Sequence, residues 1–462
     1  GRLGLLLAVI TIMIQVVILG QGQSLLRFVN QAENEDKRKS VLFSLSILIL
    51  VISIIFVLIG EVTAPYLANI FGDFQSYYSS LRISVYIVAV SVLNNIFQNK
   101  LRADEKSVFY TSLNLIKLVI MLIVTIYFIV NLKLGIDGVL YGQLISEIFV
   151  FIIILPPMIK QMEFKYDSKV ISTSLKFGIP LIFSALSMTL LNISDRFLIK
   201  FLANEEALGL YELGYRVAGI LNMFFIMPIS LTLLPVAYKI YNHPGDKEYY
   251  KKIMTYVTYL LVWGALFLSV FSKEIITLFS SNVSFIPAFK VVPIILLSYV
   301  FFGMSLISSL GFYLLGKTSY VAIITIVSAL LNIGLNFILI PKYGIMGAAI
   351  NTLIAFVFLY FISLIGSNQF FKINFEHKKI FSLILLGVSL FFVSTLFNSM
   401  HLFHSLLLKL ALVVLYPIIL FIGSFYEASE IRLLKGFIIK WRNPADWLDN
   451  FKKENSDIFN RL

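Results

Sequence analysis

The sequence predicts an all-α polytopic membrane protein built as a duplicated bundle of spanning helices, and three observations carry that reading. The 462-residue chain is 59% hydrophobic and 13% charged, with a mean hydropathy of +0.91, which leaves too little polar surface to cover a soluble globule of this length. Apolar runs of about 18–25 residues recur from end to end, each long enough to cross the hydrocarbon core. The stretch from Leu310 to Ala349 also has a fainter copy about 210 residues earlier. In that copy LRADEKSVFYTSLNLI and LKLGIDGVLYG set Lys106 opposite Lys317, Phe109 opposite Tyr320, Gly135 opposite Gly344 and Gly138 opposite Gly347. Two copies of one bundle facing each other across a cavity is the plan of a transporter more than of an enzyme.

Taken in order, the spans are predicted near 3–21, 40–60, 81–98, 108–131, 137–158, 178–200, 212–237, 253–271, 290–312, 319–340, 344–366, 379–397 and 404–424. Alternate connections collect 26 of the 37 Lys and Arg residues, in 27–39, 100–106, 160–176, 239–252, at Lys317, in 372–379 and after residue 430. The opposite connections hold seven. The positive-inside rule then places loop 27–39 and the C-terminus in the cytoplasm and residue 1 outside. The net charge of +12 is therefore topological, with some attraction to anionic headgroups, and calls for no nucleic-acid partner.

With no cysteine there is no thiolate nucleophile or sulfur metal site, and the four histidines lie in connections or at span ends. No phosphate-cradling glycine loop is present, so nucleotide hydrolysis finds no support and no cofactor or metal is implied. Thirteen spans is an odd number, and Gly1 aligns with Gly209, which leaves 178–208 without a counterpart in the first half. The expectation is that one more spanning helix, about 30 residues with its connection, precedes Gly1. The halves then divide as a first lobe in 1–162 lacking its first helix, an interfacial linker helix in 163–177 and a second lobe in 178–370. Two additional spans lie in 371–425, and an amphipathic cytoplasmic tail in 426–462 sets Ile431, Leu434, Phe437 and Trp441 among basic residues.

The ordered set SDRFLIKFL (194–202), EALGLYELGYRVAGILN (206–222) and LGKTSYVAIITIVSALLNIGLNFILIPKYGIMGAAINT (315–352) resembles the second half of the bacterial polysaccharide and O-antigen flippases. These belong to the superfamily that also holds the multidrug and toxin extrusion antiporters and the peptidoglycan lipid flippases, and the resemblance runs from GRLGLLLAVI onward. It implies two pseudo-symmetric six-helix lobes plus two extra C-terminal helices, fourteen in all. It also implies movement of an undecaprenyl-pyrophosphate-linked oligosaccharide from the inner to the outer leaflet of the bacterial plasma membrane, alongside other polysaccharide-assembly proteins.

Ionisable side chains inside spans are the first places to look for function, because each costs several kcal/mol unless it meets a partner or water. A lipid pyrophosphate crossing a bilayer needs cations to replace its lost hydration, and Arg offers paired donors. Asp195 and Arg196 end one span and Arg216 begins the next, giving either an outward cation cluster tuned by Asp195 or an Asp–Arg pair that fixes a hairpin. Lys117 and Glu147 lie at similar depth on neighbouring spans. They read either as a structural pair or as a pyrophosphate ligand with a carboxylate that carries a coupling proton or sodium ion. Arg82 and Lys409, within a turn or so of span ends, read either as snorkelling residues or as substrate contacts. Arg27 ends the first span after Gly20 and Gly22, and the resemblance places an Arg there at the cytoplasmic mouth; the plain alternative is a topology-setting charge. Pro228 and Pro235, seven residues apart on one face, mark a bend suited to a moving helix.

Within the same fold, a cation-coupled drug or ion antiporter is the alternative, but Arg and Lys outnumber acids five to two among the mid-span charges named above. A membrane enzyme acting on lipid-linked sugars would want a large external loop bearing catalytic groups. The longest connection on that side, about residues 60–80, contains only Glu61 and Asp73 as acidic residues.

Overall fold

A computed structural model describes residues 2–70, 74–279, 283–423 and 425–427. The chain is helical along its length: α1 (Arg2–Val17), α2 (Gln21–Asn30), α3 (Glu35–Ile70), α4 (Phe74–Ala103), α5 (Ser107–Val130) and α6 (Gly135–Ile159) form the first lobe. The second contains α7 (Ser168–Leu202), α8 (Glu205–Leu221), a π-helical turn (Asn222–Ile226), α9 (Met227–Ile240), α10 (Asp246–Val270), α11 (Ser272–Phe279), α12 (Val292–Ser308), α13 (Leu310–Leu314) and α14 (Thr318–Phe370). Helices α15 (His377–Thr395) and α16 (Leu402–Ile422) follow and pack against α10.

Eleven of these helices are long and apolar enough to cross a membrane, and the bent pair α1–α2 makes a twelfth crossing. The 53-residue α14 is itself two crossings, because Gly344 interrupts it with φ 57° and ψ −136°. The chain reverses there: Asn351 Nδ2 donates to the Asn332 carbonyl at 2.6 Å, and a Cβ on Gly347 would lie 2.2 Å from the Leu339 carbonyl oxygen. Among the described residues thirteen crossings result, in the places the hydropathy predicts.

The repeat is visible in backbone geometry. Glu105 (φ 57°) and Gly316 (φ 72°) occupy the left-handed region, and each is followed by a lysine that starts a helix. Lys106 N–H donates to the Leu101 carbonyl and Lys317 N–H to the Phe312 carbonyl, the same five-residue closure in both lobes. The next turns also match. Gly135 (φ 56°) pairs with Gly344, and Gly138 packs on the backbone of Phe128 as Gly347 packs on Leu339. Glycine is required at 347, where a Cβ would collide with the returning backbone, and at 138 a Cβ would be tight against Phe128.

One sequence expectation fails at the lobe boundary. Residues 163–177 do not form a separate interfacial helix: 162–167 is without helix, and Ser168 onward is the start of the 35-residue α7. The cause is local, since the Asp167 carboxylate accepts from Lys169 N–H and Val170 N–H and so caps a helix with nothing to stop it until Leu202. The Val170 N–H bond and Lys37 hold that carboxyl below its ordinary pKa. The tail proposed beyond residue 427 lies outside the described residues.

The basic connections gather on one face. Lys37 meets Asp167 at 3.2 Å, Arg38 meets Asp104 at 3.1 Å, Lys239 meets Glu105 at 2.8 Å and Lys252 meets Glu427 at 3.0 Å. The lobes meet along a seam whose polar contacts cluster toward this basic face. Gln21 Nε2 (3.4 Å) and Ser24 Oγ (3.1 Å) both donate to the Ser174 carbonyl. At the same level the α1–α2 bend at Leu19 and Gly20 brings two backbones together, so a Cβ on Gly20 would lie 2.3 Å from the Gly178 carbonyl oxygen.

Gly347→Val should destabilise the α14 hairpin by about 1–3 kcal/mol through overpacking against backbone. Gly334→Val, where a Cβ meets nothing within 4 Å, should be near neutral. Thermal unfolding in detergent of the two variants tests the difference.

Candidate functional site

Most charges in the spans are neutralised within their own lobe. Arg82 Nε lies 2.7 Å from Glu61 Oε2, and Arg196 Nε lies 3.1 Å from Glu212 Oε1 with its guanidinium 4.7 Å from the Tyr215 ring centre. Lys409 does not snorkel as its position suggests: it is 1% exposed and its ammonium lies 2.6 Å from Glu274 Oε1, tying α16 to α11. Lys117 pairs with Glu147 Oε1, while Asn94 Nδ2 donates to Glu147 Oε2 at 2.7 Å and to the Glu147 carbonyl at 2.9 Å. That closed set joins α4, α5 and α6 inside the first lobe.

Asp195 is placed differently from the expectation that it tunes Arg196 or Arg216. It is 1% exposed and turned into the second lobe, where Tyr211 Oη (2.9 Å), Asn336 Nδ2 (2.6 Å) and Thr352 Oγ1 donate to it. The reason is helical register. Residues 191, 195 and 199 share the buried face of α7, so Arg196 points about a hundred degrees away, toward Glu212. No basic group among the described residues lies within ion-pair distance of Asp195. The Asn336 and Asn351 amide oxygens nearby are buried without a donor. Arg216 is exposed, with no carboxylate partner among the described residues.

Two further arginines sit on the seam and have only neutral partners among the described residues. Arg27 donates from Nε to Gln31 Oε1 at 3.1 Å and from Nη2 to the Leu314 carbonyl at 3.4 Å, with its guanidinium 4.9 Å from the Phe177 ring centre. It borders a basic-face cavity of about 430 Å³ shared with Tyr238, Lys239 and His243. Arg102 donates from Nη1 to Asn99 Oδ1 at 2.8 Å, and from Nε (3.1 Å) and Nη2 (2.6 Å) to the Leu231 carbonyl of the other lobe. It borders a deeper cavity of about 220 Å³ whose polar lining is Gln15, Gln23, Asn95 and Asn99. The α2–α7 contacts described above adjoin the Arg102 cavity at Gly20 and Gly22. Chemically, the pair can bind an anion at two levels of the seam, and the amides near them can hydrogen-bond a polar headgroup.

Arg102 escaped the sequence reading because it was counted with the topology-setting charges of 100–106. A signal was present: Asn95, Asn99 and Arg102 recur at i, i+4 and i+7, a polar stripe on one face of α4. The prolines fall at distinct points. Pro228 stands at the junction of the π-turn and α9, and Pro235 lies inside α9.

Comparison with known proteins agrees with this architecture. The chain is 22% identical over 415 residues to the uncharacterized membrane protein MJ1068 of Methanocaldococcus jannaschii, covering 83% of this chain and 81% of that one. It is 28% identical over 202 residues to the probable low-salt glycan biosynthesis flippase Agl15 of Haloferax volcanii, 42% of each chain. Among solved structures it resembles a MATE transporter in the straight conformation, with TM-score 0.69 at 16% identity over 83% of this chain and 88% of that chain. It also resembles the Vibrio cholerae MATE transporter VcmN in the bent form, with TM-score 0.65 at 15% identity over 83% of this chain and 90% of that chain. The fold is therefore that of the MATE transporters. The family model described as "Polysaccharide biosynthesis protein" matches residues 1–283, and the chain belongs to that polysaccharide biosynthesis family.

Proposed function

We propose that this protein is an alternating-access flippase that carries an oligosaccharide linked to undecaprenyl pyrophosphate across the plasma membrane, from the leaflet at its basic face to the opposite one. The observation that carries this reading is the pair Arg27 and Arg102, two guanidinium groups on the lobe seam that rest on neutral oxygens. A charge held within a membrane protein without a counter-charge costs several kcal/mol. A transported anion offsets that cost while it passes, whereas a carboxylate partner would offset it permanently and occupy the site. Lys117 and Arg196, already neutralised by Glu147 and Glu212, serve the lobes instead. Arg216, which has no carboxylate partner among the described residues, would be a third contact for the anion.

The sugars would meet the amides of Gln15, Gln23, Asn95 and Asn99, while the prenyl chain stays in lipid. A cationic drug is the wrong cargo for a cavity whose charged lining residue is Arg102, which argues against the antiporter reading. The MATE-like fold supports alternating access, and the description of the Haloferax relative as a glycan flippase supports the substrate class.

Asp195 supplies the means of driving the cycle. A fully buried carboxylate with hydroxyl and amide partners and no basic neighbour among the described residues is a place where a proton or a small cation would be taken up. Thr352 Oγ1 and Tyr211 Oη stand beside that carboxylate as oxygens that a sodium ion would meet. On this reading Glu147, bound by Lys117 and Asn94, has no coupling role.

In vesicles containing the protein and a fluorescent undecaprenyl-pyrophosphate oligosaccharide, Arg27→Gln should slow leaflet transfer by about ten-fold, the value of one charge-assisted hydrogen bond, with normal membrane insertion. Transfer at the wild-type rate would remove Arg27 from the path. Asp195→Asn should abolish acceleration by an imposed sodium or proton gradient while leaving headgroup binding intact. If the variant still responds to the gradient, coupling lies elsewhere.

A further inference from the structure

We propose that Arg102 is a positioning residue that holds the seam shut at the basic face, and that the anionic headgroup opens the seam by taking its guanidinium from the Leu231 carbonyl. This rests on the reading of the substrate as a lipid-linked anion and names the step by which binding would start the conformational change.

The key is a carbonyl that cannot be satisfied by its own helix. Pro235 lies inside α9 and has no N–H, so the Leu231 carbonyl four residues earlier has no helical donor. Inside a membrane such a group must be satisfied by a neighbour. The donors come from the opposite lobe, Arg102 Nη2 at 2.6 Å and Nε at 3.1 Å. Parting the lobes would therefore strand a carbonyl and a cation together. The closed seam is favoured because each satisfies the other.

The chemistry of the partner makes the latch releasable. A planar guanidinium binds phosphate oxygens through two parallel charge-assisted bonds, which are roughly twice as strong as bonds to neutral groups. An anion reaching the cavity beside Arg102 therefore competes successfully with a single neutral carbonyl, as it would not with a carboxylate. The rest of the chain Asn95–Asn99–Arg102 stays in place to orient the side chain: Asn99 Nδ2 donates to Asn95 Oδ1 at 2.6 Å and Asn99 Oδ1 accepts from Arg102. The same device recurs at Arg27, whose Nη2 faces the Leu314 carbonyl at the end of α13, 3.4 Å away across the same seam. In contrast, the Lys239–Glu105 bridge across the seam is 55% and 31% exposed and contributes little.

The chain contains no cysteine, so one introduced at Ala185, on the deeper cavity, gives a clean reporter. Full-length protein in vesicles would be labelled with a membrane-impermeant maleimide from the basic-face side. Pro235→Ala returns a helical donor to Leu231 and removes the penalty for parting the lobes without touching Arg102; Arg102→Gln removes the latch itself. Both should raise the labelling rate about ten-fold, and Pro228→Ala, at the π-turn junction, should not. Wild-type labelling rates in Pro235→Ala and Arg102→Gln would overturn the latch, and an equal rise in Pro228→Ala would assign the effect to proline stiffness instead. Inorganic pyrophosphate on the basic-face side should accelerate labelling in the wild type and not in Arg102→Gln. If the two latch variants open and pyrophosphate has no effect, the anionic trigger fails together with the substrate reading, and the latch alone stands.

Discussion

A bilayer supplies no water to its interior, so every charge and every free backbone group in a span must be satisfied by the protein itself. That constraint organises this molecule. Lys117 with Glu147, Arg196 with Glu212, Arg82 with Glu61 and Lys409 with Glu274 each close a charge within one structural unit and tie neighbouring helices together. Arg27 and Arg102, both on the seam, depart from it. These two meet neutral oxygens at the boundary between the lobes.

The repeat explains how the lobes come to be so similar in their turns and so different in their polar groups. Glu105–Lys106 and Gly316–Lys317 make one turn, and Gly135 and Gly344 another, because helix reversal at a membrane face depends on backbone conformation and on room for the returning helix. Those requirements are the same in both halves. Between the turns the halves diverge: Lys117 stands where the repeat offset puts Ser328, and Gly142 where it puts Asn351. In the second lobe Asn336 donates to Asp195 and Asn351 to the Asn332 carbonyl, and in the first lobe Lys117 forms an ion pair with Glu147. A shared scaffold thus carries a buried carboxylate with neutral partners on one side and an ion pair on the other.

The crossings, the duplication and the gathering of basic connections on one face were legible in the sequence because each follows from a one-dimensional pattern: hydropathy, spacing or charge. The 163–177 linker was misread because its mixed composition suits an interfacial helix and the first turns of a long helix equally, and a single capping carboxylate at Asp167 decides between them. Partner choice was legible only where depth alone determines it, as for Lys117 and Glu147. Asp195 and Arg196 are adjacent in sequence and at the same depth, yet helical register sends one into the lobe and the other to Glu212, which depth cannot foresee. Arg102 was hidden by its position in the last turn of α4, where a basic residue needs no special reason, and its partner is a backbone carbonyl 129 residues away that no pattern of side chains announces.

The carbonyl is free because of Pro235, and here the two proline observations join the two polar sites. Helices α8 and α9 are halves of one crossing, separated by the π-turn Asn222–Ile226 with Pro228 close after it. The α8 half is tied to Asp195 through Tyr211, and the α9 half is tied to Arg102 through Leu231. A straight, fully bonded helix would force both ties to shift together. A π-turn between the two ties is a place where they can shift independently. The first lobe has the same arrangement, with α2 hinged on α1 at Leu19 and Gly20 and carrying Arg27 near its basic-face end. Of these half-helices, α2 carries Arg27 on the Leu314 carbonyl and α9 offers its Leu231 carbonyl to Arg102, so each is held at that face by one arginine on one carbonyl.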